Sequence, residues 1–280
     1  MSKLNFTVSK DKCISCNACV KDCPRQIIKN ADGEIPYIPT ELEVDCLKCQ
    51  HCLAICPTAA ISILGVNPEE CLPIGVTDLP QPEQLERLIR GRRSVRQFMP
   101  ESVDPKLIEK MLNTVANAPS GCNVRGLRFM VLRDRPAMLT LLEKIISSLE
   151  IIIDDKRLEA DSFLAGAVAE YRKNGNDAFF RGAPHALIIS ADPSAVCPVE
   201  DVNIALSYFE ILARAEGLGA LWCGMLKFAL DTAPELKNLL SLDNDQYYYT
   251  VLFGVPAVQY KRTVKQDDTV EVRMITADEL

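Results

Sequence analysis

The chain has 280 residues, a formal net charge of -7 and 25% charged residues. That length can hold two domains and a sizeable core, and the ordinary charge content excludes a wholly disordered chain. The acidic balance, with no long Lys/Arg run, argues against nucleic-acid binding as the main task.

Residues 1–6 show no apolar leader, and no stretch approaches the ~18–20 apolar residues of a membrane span. No membrane association and a cytoplasmic location are expected. Residues 6–8 and 60–63 read as short strands flanking cysteine-rich loops. Eight of the twelve cysteines fall between them in two runs: Cys13, Cys16, Cys19, Cys23 and Cys46, Cys49, Cys52, Cys56. Each run reads C-x2-C-x2-C-x3-C-P, closed by Pro24 and Pro57. Three closely spaced thiolates can wrap three irons of a cubane cluster with one tight loop. The fourth lies where the chain has turned away; in two-cluster bacterial ferredoxins, which carry this run, it ligates the other cluster. The expected ligand sets for two [4Fe-4S] clusters are Cys13, Cys16, Cys19 with Cys56, and Cys46, Cys49, Cys52 with Cys23. An all-thiolate zinc site would need only two C-x-x-C pairs and would leave the other cysteines idle. Disulfides conflict with the absence of a secretion signal. Residues 26–29 and 35–38 read as a middle hairpin turned by Asp32-Gly33. His51, inside the second run, reads as an exposed side chain.

Residues 67–83 are punctuated by Pro68, Pro73, Pro80 and Pro82 and read as a surface linker carrying a spare thiol, Cys71. Leu85, Leu88 and Ile89 repeat at helical spacing over 84–91. Asp104-Pro105 predicts an N-cap followed by proline at the first helical position, opening a helix through Val115. Residues 127–132 predict a strand. Helices are expected near 136–150, 156–173 and 200–216. Buried strands are expected at 185–190 and 247–254, and a last, alternating strand at 270–275. Helices interleaved with few strands imply an α+β fold in which helices cover a central sheet. His185 reads as a satisfied structural histidine. No G-x-G-x-x-G opens a βαβ unit, so a Rossmann nicotinamide site is not expected.

Arg92, Arg93, Ser94 and Arg96 crowd positive charge behind the 84–91 helix. A phosphate suits the guanidinium fork; a solvated basic helix end accounts for the same residues. Four stretches in order resemble the landmarks of the nitroreductase family. They are Arg92-Arg93-Ser94-Val95-Arg96-Gln97-Phe98, Ala118-Pro119-Ser120-Gly121-Cys122-Asn123, Glu216-Gly217-Leu218-Gly219-Ala220-Leu221-Trp222-Cys223-Gly224, and Phe253-Gly254-Val255-Pro256 with Lys261-Arg262. The resemblance covers roughly 84–280. With its cysteine-rich head, the whole chain resembles the ferredoxin–nitroreductase fusions. The expected domains are a bacterial ferredoxin-like domain at 1–66, the linker at 67–83, and a nitroreductase-like FMN domain at 84–280.

The resemblance implies FMN and a domain-swapped homodimer with its flavins at the interface. It implies that Arg92 and Ser94, with Arg93 beside them, hold the phosphate and ribityl end, and that Lys261 and Arg262 close on the phosphate. Arg96 is implied near the N1/O2 edge of the ring, where a fixed cation stabilises the anionic reduced flavin. Pro119, Ser120, Gly121 and Asn123 are implied to reach the flavin from the partner subunit. Asn176 is implied at the pyrimidine edge. Gly224 takes the catalytic position whose backbone N–H meets flavin N5, with Trp222 and Cys223 against the same face. The chain departs from the family at Val124-Arg125-Gly126, where Gln-Pro-Trp is usual and the substrate pocket is shaped.

The expected function is an oxidoreductase in which the two clusters deliver single electrons to FMN, which reduces a nitroaromatic, a quinone or an enone. Ferredoxin or flavodoxin is the expected redox partner. No side-chain general acid is evident, so water or the substrate completes protonation. A second reading reverses the flow: NAD(P)H, which relatives bind over the open flavin, reduces FMN, and the clusters pass electrons out to a carrier protein. A third, of another class, is a non-catalytic electron-transfer or redox-sensing module.

Overall fold

The structure, a computed structural model, describes residues 4–30, 33–159, 162–265 and 270–280. The chain divides into two compact units: Met1–Leu79 with Gly121–Arg125, and Pro80–Ser120 with Gly126–Leu280. Among the described residues no helix is long and apolar enough to cross a membrane.

In the first unit β1 (Thr7–Val8) pairs antiparallel with β2 (Ile61–Ser62), Thr7 opposite Ser62. Short helices α1 (Ala18–Asp22) and α2 (His51–Ala54) each start inside a cysteine run. The internal repeat is written into the backbone. Ser15, Asn17 and Gln26 in the first half, and Lys48, Gln50 and Ala59 in the second, all have φ between 51° and 61°. Side chains are uncommon in this left-handed region. Its recurrence at equivalent places shows that both loops wind with one geometry. Ile27, Ile28, Leu53, Ile61 and Ile63 pack with Cys19 and Cys52 into a small core. The expected middle hairpin is reduced to one antiparallel bridge, Lys29 with Tyr37; Asp32 of its turn lies outside the described residues. The stretch read as a linker carries 3-10 turns at Pro68–Glu70 and Val76–Asp78. Its Cys71, Leu72 and Ile74 are exposed.

The second unit opens with α3 (Pro82–Gly91), two residues ahead of the apolar repeat because Pro82 fits the first helical turn. Helix α4 (Pro105–Val115) follows; its N-cap Asp104 accepts from Lys106 N at 2.9 Å. Strand β3 is Leu127–Leu132, α5 is Arg135–Asp154, α6 is Phe163–Asn174 and β4 is His185–Ala191. Helix α7 (Pro198–Ala215), β5 (Gly219–Trp222), α8 (Gly224–Thr232) and β6 (Tyr248–Gly254) complete the unit. The sheet runs β3-β4-β6-β5, antiparallel throughout. Every residue of β4 is buried, because both faces are covered. Ala186 and Ile188 face a core with α5, α6 and α8, while Leu187, Ile189 and Ala191 face one with α4 and α7. That arrangement explains why residues 186–189 of β4 read as an unbroken apolar run and not as an alternation.

Two expectations are corrected. Helix α6 starts at Phe163 and not near 156, because Ser162 caps it, accepting from Ala165 N at 3.3 Å. Residues 270–275 are not a strand: among the described residues they join no ladder, and Val270, Val272, Met274 and Ile275 are exposed. Alternating residues become a strand only where a neighbouring edge offers hydrogen bonds and a surface to pack on.

His185 opens β4 fully buried. Its Nε2 accepts from Val103 N at 2.9 Å, and its Nδ1 donates to Leu132 O at 3.3 Å. This pairing fits neutral imidazole, and burial pushes its pKa below the usual 6.5. Below that value the unfolded chain takes up the proton and the folded one resists it, so stability falls as pH falls toward the folded pKa. Urea midpoints measured across pH 7.5 to 5 should decline, and decline less steeply in His185→Gln. Equal slopes would remove this histidine from the pH response.

Candidate functional site

In the first unit one cavity is lined by Cys13, Cys16, Cys19 and Cys56, and another by Cys23, Cys46, Cys49 and Cys52. Each takes three thiols from one run and the fourth from the other. Burial pushes the Cys19 thiol up, with Cys56 and Cys16 adding to the shift; Cys46 is pushed up the same way, with Cys49 and Cys23 adding. Among the described residues no three His, Cys, Asp or Glu side chains close on a single metal ion. Each quartet lines a cavity, and four thiolates spaced around a volume are the ligand set of a cubane cluster. Backbone N–H groups already aim at sulfur: Lys48 N donates to Cys46 Sγ at 3.3 Å and Ala60 N to Cys56 Sγ at 3.2 Å. Such bonds, together with the apolar shell, tune a cluster's potential. His51 pairs instead with Asp22, Nδ1 to Oδ2 at 3.2 Å.

In the second unit the arginine-rich segment lies along β5. Val95 N donates to Ala220 O at 3.0 Å, and Ser94 forms a parallel bridge with Ala220. Gly219 makes that approach possible: a Cβ there would stand 2.7–2.9 Å from the Val95 side chain. A cavity of about 430 Å³ opens here, lined by Arg92, Arg93, Arg214, the 217–220 backbone and residues 255–260. Tyr260 donates its hydroxyl to Ser94 O at 3.3 Å. Lys261 and Arg262 follow, both exposed, with Lys261 Nζ donating to Gln259.

Arg92 does not stand free in this cavity. Its Nη1 donates to Glu210 Oε1 at 3.0 Å, and Trp222 Nε1 donates to Glu210 Oε2 at the same distance. The Glu210 side chain is only 10% exposed, so this bridge fixes both Arg92 and the indole. Arg93 and Arg214 line the same cavity without an ion pair among the described residues. Three cations, close backbone and a glycine-permitted approach suit a phosphate-bearing cofactor.

Gly224 opens α8, so its N–H is one of the amides that no carbonyl of that helix can satisfy. A Cβ on Gly224 would meet only Tyr249 Oη at 3.4 Å and Phe228 at 3.7 Å. Packing within the chain therefore does not require a glycine here. Cys223 is an inert neighbour: burial pushes its thiol up to about 12, and Sγ donates to Phe179 O at 3.3 Å. Trp222 leans on Tyr249 with ring centroids 5.5 Å apart.

The other residues that the resemblance assigns to the flavin are spread over further parts of the chain. Arg96 and Asn176 line a second cavity, of about 420 Å³, with Arg135 and Arg181. Pro119 and Ser120 lie just beyond α4, while Gly121 and Asn123 belong to the first unit. There Asn123 Nδ2 donates to Leu47 O at 3.0 Å. Cys122, Asn123 and Arg125 hold φ of 51°, 55° and 53°, a cluster of left-handed residues at the end of the 118–123 stretch and just after it. Sequence reasoning passed over Glu210, Arg214, Arg135 and Arg181. Glu210 had a signal: it sits at helical spacing among Leu206, Phe209 and Ala213, a carboxylate on the buried face of α7. The other three are single arginines whose convergence only folding reveals.

Residues 89–255 match the nitroreductase family, and residues 12–61 match a 4Fe-4S dicluster domain. The chain is similar to the nitroreductase NfnB of Mycolicibacterium smegmatis, 25% identical over 208 residues, covering 65% of this chain and 87% of that protein. Its head is similar to an uncharacterized ferredoxin of Methanocaldococcus jannaschii, 36% identical over 68 residues, covering 24% of this chain and 87% of that protein. The fold is similar to that of a Bacteroides fragilis nitroreductase solved with bound FMN, with a TM-score of 0.54 and 21% identity over 68% of this chain and 99% of that one. The chain thus belongs to the nitroreductase family of oxidoreductases and carries a 4Fe-4S dicluster domain in its N-terminal part.

Proposed function

We propose that the protein passes electrons one at a time from ferredoxin or flavodoxin, through two [4Fe-4S] clusters, to an FMN held in the second unit. The acceptor is a small nitroaromatic, quinone or enone, which leaves with two electrons and two protons. The observation carrying this reading is the crossed pair of thiol quartets in a chain of a redox-enzyme family. When bound, FMN supplies a two-electron centre that one-electron carriers can fill in two steps.

The chain's own residues do the rest. Cys13, Cys16, Cys19 and Cys56 hold one cluster; Cys46, Cys49, Cys52 and Cys23 hold the other. Arg92, Arg93 and Arg214 neutralise the phosphate, with Lys261 and Arg262 following on the same side. Ser94 holds the ribityl end. Glu210 keeps Arg92 and Trp222 in register, and Gly224 presents a free amide toward N5. Residues 1–66 form the cluster domain and 84–280, apart from Gly121–Arg125, the FMN domain. The exposed apolar side chains Val270, Val272, Met274 and Ile275 support a homodimer, since such a row is normally covered.

Arg93→Ala and Arg214→Ala test the phosphate site without unpairing Glu210. Each should raise the FMN dissociation constant about tenfold or more, as loss of a charge-assisted bond does. Iron content should not change. Full FMN retention in both variants would place the phosphate elsewhere.

A further inference from the structure

We infer that Tyr249 is a further catalytic residue: its hydroxyl, beside the Gly224 amide, gives the acceptor the proton that accompanies the hydride. This rests on the reading above and supplies the acid that residue order does not show.

Tyr247, Tyr248 and Tyr249 follow one another in the chain. Two of them spend their hydroxyls internally. Tyr247 Oη accepts from Asn203 Nδ2 at 3.2 Å, and Tyr248 Oη donates to Asp231 Oδ1 at 2.8 Å. Tyr249 Oη has no hydrogen-bond partner among the described residues. The sheet register sets where it stands. β5 and β6 pair Trp222 with Val251, and Cys223 N carries the ladder on to Thr250 O at 2.9 Å. One further step brings Tyr249 level with Gly224. Its hydroxyl lies 3.4 Å from where a Cβ on Gly224 would stand. With no side chain at 224, that residue leaves the hydroxyl uncovered.

The ring is held while the hydroxyl is not. Tyr249 leans on Trp222, with centroids 5.5 Å apart and planes tilted by 51°, and Trp222 is itself fixed by Glu210. Burial pushes the phenol above its usual 10, with Cys223 and Tyr247 adding to the shift and Lys227 opposing it. It stays protonated at neutral pH and so acts as a donor where charge develops on a bound acceptor. The side chain is only partly buried, so solvent can restore its proton. A nitro group takes two electrons and one proton as hydride from reduced FMN, and a second proton from Tyr249. One N–O bond breaks, and a nitroso product and water leave. The phenolate then recovers a proton from solvent.

The test uses the full-length FMN-loaded protein and its Tyr249→Phe variant, which keeps the ring and loses only the hydroxyl. Both are reduced chemically, and the flavin band is followed as nitrobenzene or ferricyanide reoxidises them. Ferricyanide accepts electrons without protons. The variant should react with nitrobenzene about a hundredfold more slowly, the loss expected of a general acid, and with ferricyanide at the native rate. Nitrobenzene binding to the oxidised proteins, read from the same band, should weaken about threefold or more in the variant. FMN content should match. A native nitrobenzene rate, or unchanged nitrobenzene binding, in the variant overturns the inference. Equal slowing with ferricyanide or loss of FMN overturns it too, since Tyr249 would then only shape the cofactor's pocket. Failure of the proposed function looks different: the native protein binds nitrobenzene and is reoxidised by ferricyanide, yet never reduces the nitro compound. The proton-donor role then falls with it.

Discussion

Cys56→Ser should abolish the cluster that Cys13, Cys16 and Cys19 share, although Cys56 belongs to the other run. Iron should fall from about eight per chain to about four, the content of one cubane. The crossed geometry makes this specific. Cys56 lines the cavity with the first three cysteines, and Cys23 lines the other. A Cys13→Ser/Cys56→Ser double variant should therefore lose no more iron than either single variant. Cys46→Ser/Cys56→Ser, with both changes inside one run, should lose both clusters. The first unit has only a small apolar core, so the double-cluster loss should also unfold it, as metal binding and folding are coupled in small metal domains. Iron analysis and EPR of the reduced proteins decide the matter. Equal losses from same-run and cross-run pairs would refute crossed ligation.

Gly219→Ala should be the most damaging conservative change in the second unit. Its new Cβ would stand 2.7 Å from Val95 Cγ2, and a branched buried side chain cannot swing clear. Either β5 or the 92–96 segment must give way. Overpacking of this kind costs about 1–3 kcal/mol, which for a unit of this size lowers Tm by roughly 2–12 °C. The segment that moves carries Arg92, Arg93 and Ser94, so FMN retention should fall as well. Val95→Ala in the same chain removes the methyls at 2.7 and 2.9 Å but keeps the Cβ at 2.8 Å, so it should restore only part of both. Calorimetry and flavin content on the two variants measure this. A Gly219→Ala protein with native Tm and full flavin would mean that β5 does not position the arginines.

Much of this architecture was legible in residue order. The cysteine runs carry their own geometry, because ligand spacing and local winding are the same constraint. Asp104, Pro105 and the β4 run announced their elements by capping chemistry and unbroken hydrophobicity. The site was less legible. Arg92 reads as a free phosphate ligand until Glu210, from α7, is seen to pair with it. Arg96, Arg135 and Arg181 are far apart in sequence and meet only when α5 and the turn after α6 pack. Asn123 donates its amide to Leu47 O in the first unit, a pairing between residues far apart in sequence that residue order does not announce. Residues 270–275 alternate as a strand does, yet alternation cannot report whether an edge is there to receive it.

The central claim is that single electrons enter at the clusters and leave in pairs from FMN. The most direct measurement is rapid mixing of anaerobically purified protein with reduced ferredoxin, without nicotinamide, while the flavin band is followed. The account predicts that the cluster absorbance bleaches first and the flavin band after it. A variant lacking Cys13, Cys16, Cys46 and Cys49 should keep its flavin band oxidised. A native flavin that stays oxidised under reduced ferredoxin, but bleaches with NADH, would contradict the proposed direction of flow.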